Sequence, residues 1–219
     1  KNNVIVQFIL IWTELLRRAG IVDMMTTNKN LKTFSIKEVP YYHIYGRTDE
    51  TQEFLPLFWN GSGIEVNVTG SELWIDLDID CNFHEPWIAT ELNGAFMSRQ
   101  MLLPGNYSIC LFRNMTFGVP KTMKFFRELQ AMSEDDDCHV FVRGFRSDGE
   151  FLPVKEHKYK IEFIGDSITS GEGTYGAISD TDWLTMYMSS SENYATFTAK
   201  ALDADYRIIS QGGWGVYCG

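Results

Sequence analysis

KIEFIGDSITSGEGTYG, running from Lys160 to Gly176, is the stretch on which the fold reading turns. A short apolar run (Ile161, Phe163, Ile164) leads into Gly165-Asp166-Ser167, and small residues and glycines follow. A strand that ends in such a turn and passes into a helix holds a hydroxyl at the carboxyl edge of a sheet. Backbone N–H groups then point at the same place. Gly165 lets the chain bend and keeps a side chain away from where a carbonyl substrate would sit. The same residues also describe an ordinary helix start, capped by Ser167 or Asp166, with Glu172 in the first turns. Spacing alone leaves both readings open.

The chain beyond this block favours the first. Ser191 to Leu202 (SENYATFTAKAL) predicts a helix capped by Ser191, with Tyr194, Phe197, Thr198 and Ala201 on one face. Asp203-Ala-Asp205 turns the chain, Tyr206 to Ser210 is a second short strand, and Gln211 to Gly215 (QGGWG) is a glycine-rich loop. Strand, helix and strand of this length form a parallel crossover, so both strands finish on one sheet edge. Ser167 therefore emerges beside Gly212 and Gly213. A hydroxyl with a glycine N–H beside it is half of an acyl-transfer site.

Upstream the signal is β. Ile64, Val66 and Val68 alternate with Glu65 and Asn67, and Leu73, Ile75, Leu77 and Ile79 alternate with Trp74, Asp76, Asp78 and Asp80. Tyr107, Ile109 and Leu111 repeat the pattern, and Val140 and Val142 open another run. Turn residues separate the runs, Asn93-Gly94 being a tight-hairpin signal. This describes an antiparallel sandwich from Glu38 to His157 with one wet face per sheet. Asp76, Asp78 and Asp80 share one strand face, which reads as a solvated outer face in preference to a site for a polyvalent metal or sugar hydroxyls, and the charged loop Ser133–Asp137 lacks the spacing of a calcium loop. No metal site and no cofactor are expected. A phosphate-loop reading of GDSITSGEG fails because no lysine follows it.

The Gly-Asp-Ser-Ile-Thr block and the later glycine loop resemble the SGNH (GDSL-type) hydrolases. Leu57–Asp78, Trp87–Gly94 and Leu102–Arg113 resemble the amino-terminal jelly roll of carbohydrate esterase family 2. The resemblance covers roughly Glu38 to Gly219 and implies a jelly-roll β-sandwich followed by a partial flavodoxin-like, three-layer α/β/α domain. It divides the chain into a helical extension (1–37), the jelly roll (38–157) and the first part of the hydrolase domain (158–219). It implies Ser167 as nucleophile and oxyanion donor, and Gly213 as second oxyanion donor with Gly212 its one-residue alternative. Asp166 would shape the turn, and Trp214 would flank the acetyl group or the sugar, or else serve packing.

The family's later blocks, a Gly-x-Asn-Asp donor and an Asp-x-x-His base, do not occur before Gly219. His43, His84, His139 and His157 all precede Ser167. Two parallel strands and one helix cannot cover both faces of a sheet. The expectation is a chain that is the front part of a longer protein. Without a base the chain alone would lose about 10⁴ to 10⁶ in rate. The expected activity of the whole is removal of O-acetyl groups from xylan or glucomannan by a serine esterase. The alternative is a carbohydrate-binding protein with a vestigial or truncated hydrolase part. The partners expected are an acetylated polysaccharide and the missing carboxyl-terminal part.

Composition agrees. A net charge of −10 argues against nucleic-acid and anionic-membrane partners. The six tryptophans suit a sugar ligand and equally a β-sandwich core. Cys81, Cys110, Cys138 and Cys218 show no metal spacing and could make two disulfides or none, Cys81 and Cys110 reading as buried free thiols in or beside strands. Four glycosylation-type triplets begin at Asn60, Asn67, Asn106 and Asn114, of which Asn67 and Asn106 fall in or beside strands. The amino end predicts a helix from about Asn3 to Ala19, stopped by Gly20 and too short for a confident membrane span. Compartment is undecided.

Overall fold

The computed structural model describes residues 30–215 and 217, and the helix expected over Asn3–Ala19 lies outside them. The chain divides into two compact units, Lys1–Leu31 and Lys32–Gly219, and the second carries both the β region and Ser167. In chain order its strands are β1 (Lys32–Ser35), β2 (His43–Tyr45), β3 (Leu55–Pro56), β4 (Gly63–Val68) and β5 (Leu73–Asp80). Then come β6 (Trp87–Leu92), β7 (Ala95–Met101), β8 (Gly105–Phe112), β9 (Lys121–Arg127), β10 (His139–Ser147) and β11 (Phe151–Leu152). The last part runs β12 (Tyr159–Gly165), α1 (Ser167–Ser170), α2 (Tyr194–Leu202) and β13 (Ala204–Ser210).

Two antiparallel sheets are built from the first eleven strands. One has the order β1-β10-β5-β8, with β3 also on β10, and the other has the order β11-β4-β9-β6-β7, with β2 also on β4. The period-two pattern is the reason. β5 alternates buried Leu73, Ile75, Leu77 and Ile79 with half-exposed Trp74, Asp76 and Asp78, and β4 buries Ile64, Val66 and Val68. The inward residues of both sheets meet in one core. A fully buried aliphatic side chain of this kind contributes about 1.5–3 kcal/mol. The Asn93-Gly94 hairpin forms as expected: both residues have positive φ, and Leu92 pairs with Ala95.

Three expectations are corrected. The β region starts at Lys32, ahead of Glu38, because β1 adds to the edge of β10 with Lys32 opposite Ser147. The helix starts at Tyr194 with Asn193 as its cap, the Asn193 side chain accepting from the Ala195 and Thr196 N–H groups. Ser191 is unavailable as a cap because a buried carboxylate, Glu128, holds it. The helix also buries its small residues, Ala195, Thr196 and Ala199, while Tyr194 and Phe197 face outward. At the other end Asp203 is the left-handed cap, so Ala204 and Asp205 already belong to β13.

β12 and β13 are parallel and in register from Tyr159↔Ala204 to Gly165↔Ser210. One face of this pair packs Ile161, Phe163, Tyr206 and Ile208 against α2 and Tyr45 of β2. The other face is open: Ile164 is 74% exposed, and Glu162 and Arg207 are exposed beside it. Among the described residues β12 pairs with β13 alone. The charged loop is structural, since buried Asp135 accepts the backbone N–H groups of Asn82, Phe83 and His84. Among the described residues no group of His, Cys, Asp and Glu is placed to hold a metal, and no helix is long and apolar enough to cross a membrane.

Candidate active site

Ser167 is the first residue of α1, directly past the end of β12. Asp166 is the N-cap, its Oδ1 accepting from the Ile168 N–H at 3.1 Å, which fixes the direction in which the helix leaves the strand. Gly165 is required: a Cβ there would stand 2.1 Å from Thr169 Oγ1. β13 ends at the same level, so the Gln211–Gly215 loop leaves the sheet beside Ser167. A Cβ on Gly212 would lie 3.0 Å from Glu172 Oε2 and 3.9 Å from Ser167 Cβ, and Gly213 follows at φ +77° with no described atom within 4 Å of where its Cβ would stand. Ser167 and Gly212 are half-buried, whereas Gly213 and Trp214 are exposed.

The donors and the hydroxyl are uncommitted. Among the described residues the N–H groups of Ser167, Gly212 and Gly213 have no acceptor, and Ser167 Oγ has no hydrogen-bond partner. Beside them a cavity of about 430 Å³ is lined by Trp59, Ile164, Asp166, Gln211 and Trp214. Ser167, Gly212 and Gly213 do not line it but adjoin it in the chain through Asp166 and Gln211, and its apolar lining suits a small acyl group on a polar carrier.

No histidine of the described residues reaches this place. His157 precedes β12 and bonds Tyr45 Oη at 2.7 Å, with Asp203 Oδ1 at 3.4 Å. That is the opposite end of the strand pair, about 20 Å from Ser167 along a seven-residue strand. His43 stands 3.1 Å from Asp205, and His84 stands 3.1 Å from Glu134. His139 lies against the Phe141 ring.

A four-residue helix does not hold its own geometry, and the sandwich supplies the hold. Asn60, fully buried between β3 and β4, donates from Nδ2 to the Thr169 carbonyl at 3.1 Å and accepts from Ser210 Oγ at 3.0 Å. Ser170 Oγ donates to Ser210 Oγ at 2.9 Å, so helix, strand end and sandwich loop form one network. Asn193 Nδ2 donates to the same Thr169 carbonyl at 2.9 Å.

Glu128, also fully buried, is the second anchor. It accepts from the N–H groups of Ser190 and Ser191 at 2.8 and 2.9 Å and from their hydroxyls at 3.0 and 2.7 Å. Arg99 Nε lies 3.5 Å from its other side, and that guanidinium rests 4.0 Å above the Trp87 ring. The serine loop in turn grips the end of α1. Ser189 N–H donates to the Gly171 carbonyl at 3.1 Å, and a Cβ on Gly171 would meet Ser189 O at 1.9 Å.

Sequence reading missed Trp59, Asn60 and Glu128. Asn60 read as the start of a glycosylation-type triplet, whereas its side chain is 0% exposed and doubly bonded. The available signal was Trp-Asn-Gly-Ser-Gly between two β runs, a polar turn flanking an aromatic.

A hydroxyl at a sheet edge beside amide N–H groups is an arrangement that acyl-transfer chemistry uses. No protein-family model matches the chain. Its solved neighbours include carbohydrate esterases of family two and acetyl xylan esterases. An acetyl xylan esterase from Butyrivibrio proteoclasticus is 56% identical with a TM-score of 0.84, covering 86% of this chain and 51% of that one. A family two carbohydrate esterase from Clostridium thermocellum, solved with cellohexaose, is 25% identical with a TM-score of 0.71, covering 80% and 52%. An acetylxylan esterase / glucomannan deacetylase of Cellvibrio japonicus is 26% identical over 191 residues, 81% of this chain and 48% of that protein. The chain thus spans about half the length of these relatives.

Proposed function

We infer that the whole protein is a carboxylic ester hydrolase that removes O-acetyl groups from a plant cell-wall polysaccharide, xylan or glucomannan, through an acyl-serine. The carrying observation is an unpartnered serine hydroxyl between two strand ends, beside glycine N–H groups without acceptors. The relatives' printed activities support the substrate class.

In this reading the β region is a jelly roll extending to His157, and the part from Lys158 is the first portion of a flavodoxin-like α/β/α domain. The exposed Ile164, Tyr194 and Phe197 and the open edge of β12 are the surfaces on which further strands and helices of that domain would pack. That remainder, in the same protein or as a separate chain, brings the histidine. Ser167 Oγ attacks the acetyl carbonyl while the histidine takes its proton. The Ser167 N–H and the Gly213 N–H, or Gly212 in its place, hold the oxyanion. Collapse expels the sugar oxygen, which takes the proton back from the histidine as it leaves; water then gives a proton to the histidine and attacks the acyl-serine, and acetate departs as Ser167 Oγ takes that proton. Trp59 and Trp214 bound the acetyl group.

Acetate release from acetylated xylan tests the reading. The full-length protein releases acetate, the Ser167→Ala protein falls to background, and residues 1–219 alone stay near background for want of a base. Full activity in Ser167→Ala would overturn it. No release by the full-length protein on acetylated xylan or glucomannan would favour a sugar-binding protein with a vestigial site.

A further inference from the structure

A cavity on the β region has no part in this chemistry. It measures about 590 Å³ and crosses the solvent side of the first sheet, taking residues from β1, β10, β5 and β8. Four neighbouring strands span about 14 Å, the length of a short oligosaccharide.

Its polar groups are planar and fixed. The Asp76 carboxylate accepts from Arg146 Nε at 3.1 Å and Nη2 at 3.0 Å, and from Ser108 Oγ opposite it on β8. Arg143 Nη1 donates to Asn106 Oδ1 at 2.8 Å, and its guanidinium stacks 5.0 Å over Phe54. Arg143 spends one of its five N–H groups in this way among the described residues.

The charges select the ligand. Two carboxylates lining the groove, Glu38 and Asp76, balance two guanidinium groups, Arg143 and Arg146. A balanced groove has no net field for a phosphate or a polyanion, and an apolar ligand would strip water from four charged groups. A neutral molecule with paired hydroxyls on its edge and C–H groups on its face meets both demands. Its vicinal hydroxyls match planar bidentate partners such as the N–H groups that Arg143 leaves free, and its face lies against the Phe54 ring.

The geometry points to this groove as a second, non-catalytic binding site for a neutral oligosaccharide, separate from the Ser167 cavity. It rests on the carbohydrate half of the proposed function and not on the ester chemistry. Such a site would hold the main chain of the substrate while acetyl groups are removed elsewhere.

Xylohexaose is the probe, since it carries no acetyl group and reads the groove whether or not Ser167 is active. Calorimetric titration of the full-length protein is expected to give saturable binding, weakened at least about tenfold by Arg143→Ala with Asn106→Ala. Backbone amide shifts in the unmodified protein give a second reading that needs no variant: residues of β5, β8 and β10 move, and Gly165–Gly215 do not. No saturable binding would overturn the proposal. So would shifts confined to Gly165–Gly215, with affinity untouched by the double variant. Either failure leaves the acetate-release result standing, so the two claims fall separately.

Discussion

The β region and the β12–β13 pair are made of similar residues and end up in opposite conditions. Leu77 of β5 and Ile164 of β12 are both aliphatic strand residues, yet one is 0% exposed and the other 74%. The difference is partnership: β5 lies between β10 and β8 and faces a second sheet, while among the described residues β12 has one neighbour and one covered face. The smaller region keeps its shape by borrowing contacts from the larger, through Asn60, Glu128 and Tyr45. Site geometry at Ser167 is therefore a property of the sandwich as much as of the strand that bears the serine.

Removing the deepest anchor should have the largest effect. Glu128→Ala strands Arg99 and the N–H groups of Ser190 and Ser191, and is expected to cost about 3–5 kcal/mol by denaturant titration. Hydrogen exchange distinguishes a local from a global loss: the Ser189–Thr196 amides are expected to lose protection first. Equal loss throughout β5 and β10 would mean that the two regions stand or fall together.

Asymmetry between the regions is sharpened by a matched pair of substitutions. Leu77→Ala is expected to cost about 2–5 kcal/mol. Ile164→Ser in the same chain should stay within about 0.5 kcal/mol, because the side chain is already in water. In the full-length protein Ile164→Ser should become costly if further strands cover that face. Asn60→Ala falls between, at about 1–3 kcal/mol, since it leaves the Thr169 carbonyl and the Ser210 hydroxyl short of a partner.

Acidity gives the smallest effect. Burial alone would raise the Asp205 carboxyl, but contact with His43, joined by the nearby His157 and Lys160, outweighs it and holds the group below its ordinary value. A depressed carboxylate stabilises the fold above its unfolded pKa, about 3.9, and that contribution is lost as pH falls through the lower folded value. His43→Gln weakens the depression, so the acid-unfolding midpoint should move to higher pH by a fraction of a unit. An unmoved midpoint would show that the His43–Asp205 contact does not join the regions.

What was legible in the sequence follows from the range of the forces. Alternation along β5 and the Gly165-Asp166-Ser167 turn are written in adjacent residues, so the strand faces and the serine's position could be read directly. The anchors are written across long separations: Asn60 meets Thr169 and Glu128 meets Ser191. No local rule signals those pairings. The misplaced cap has the same origin, because Ser191 satisfies the local capping pattern and loses to a carboxylate on another element. That Tyr194 and Phe197 share a face was legible, but not that the face is exposed, because amphipathic spacing says which residues share a face and not which face is covered.

The central claim is that Ser167 is the group that attacks the ester, and a fluorophosphonate probe addresses it most directly. Treated with the probe and mapped by mass spectrometry, the full-length protein is predicted to carry a single adduct on the peptide containing Ser167, absent from Ser167→Ala. An adduct on another serine, or deacetylation by a protein whose Ser167 never labels, would contradict the account.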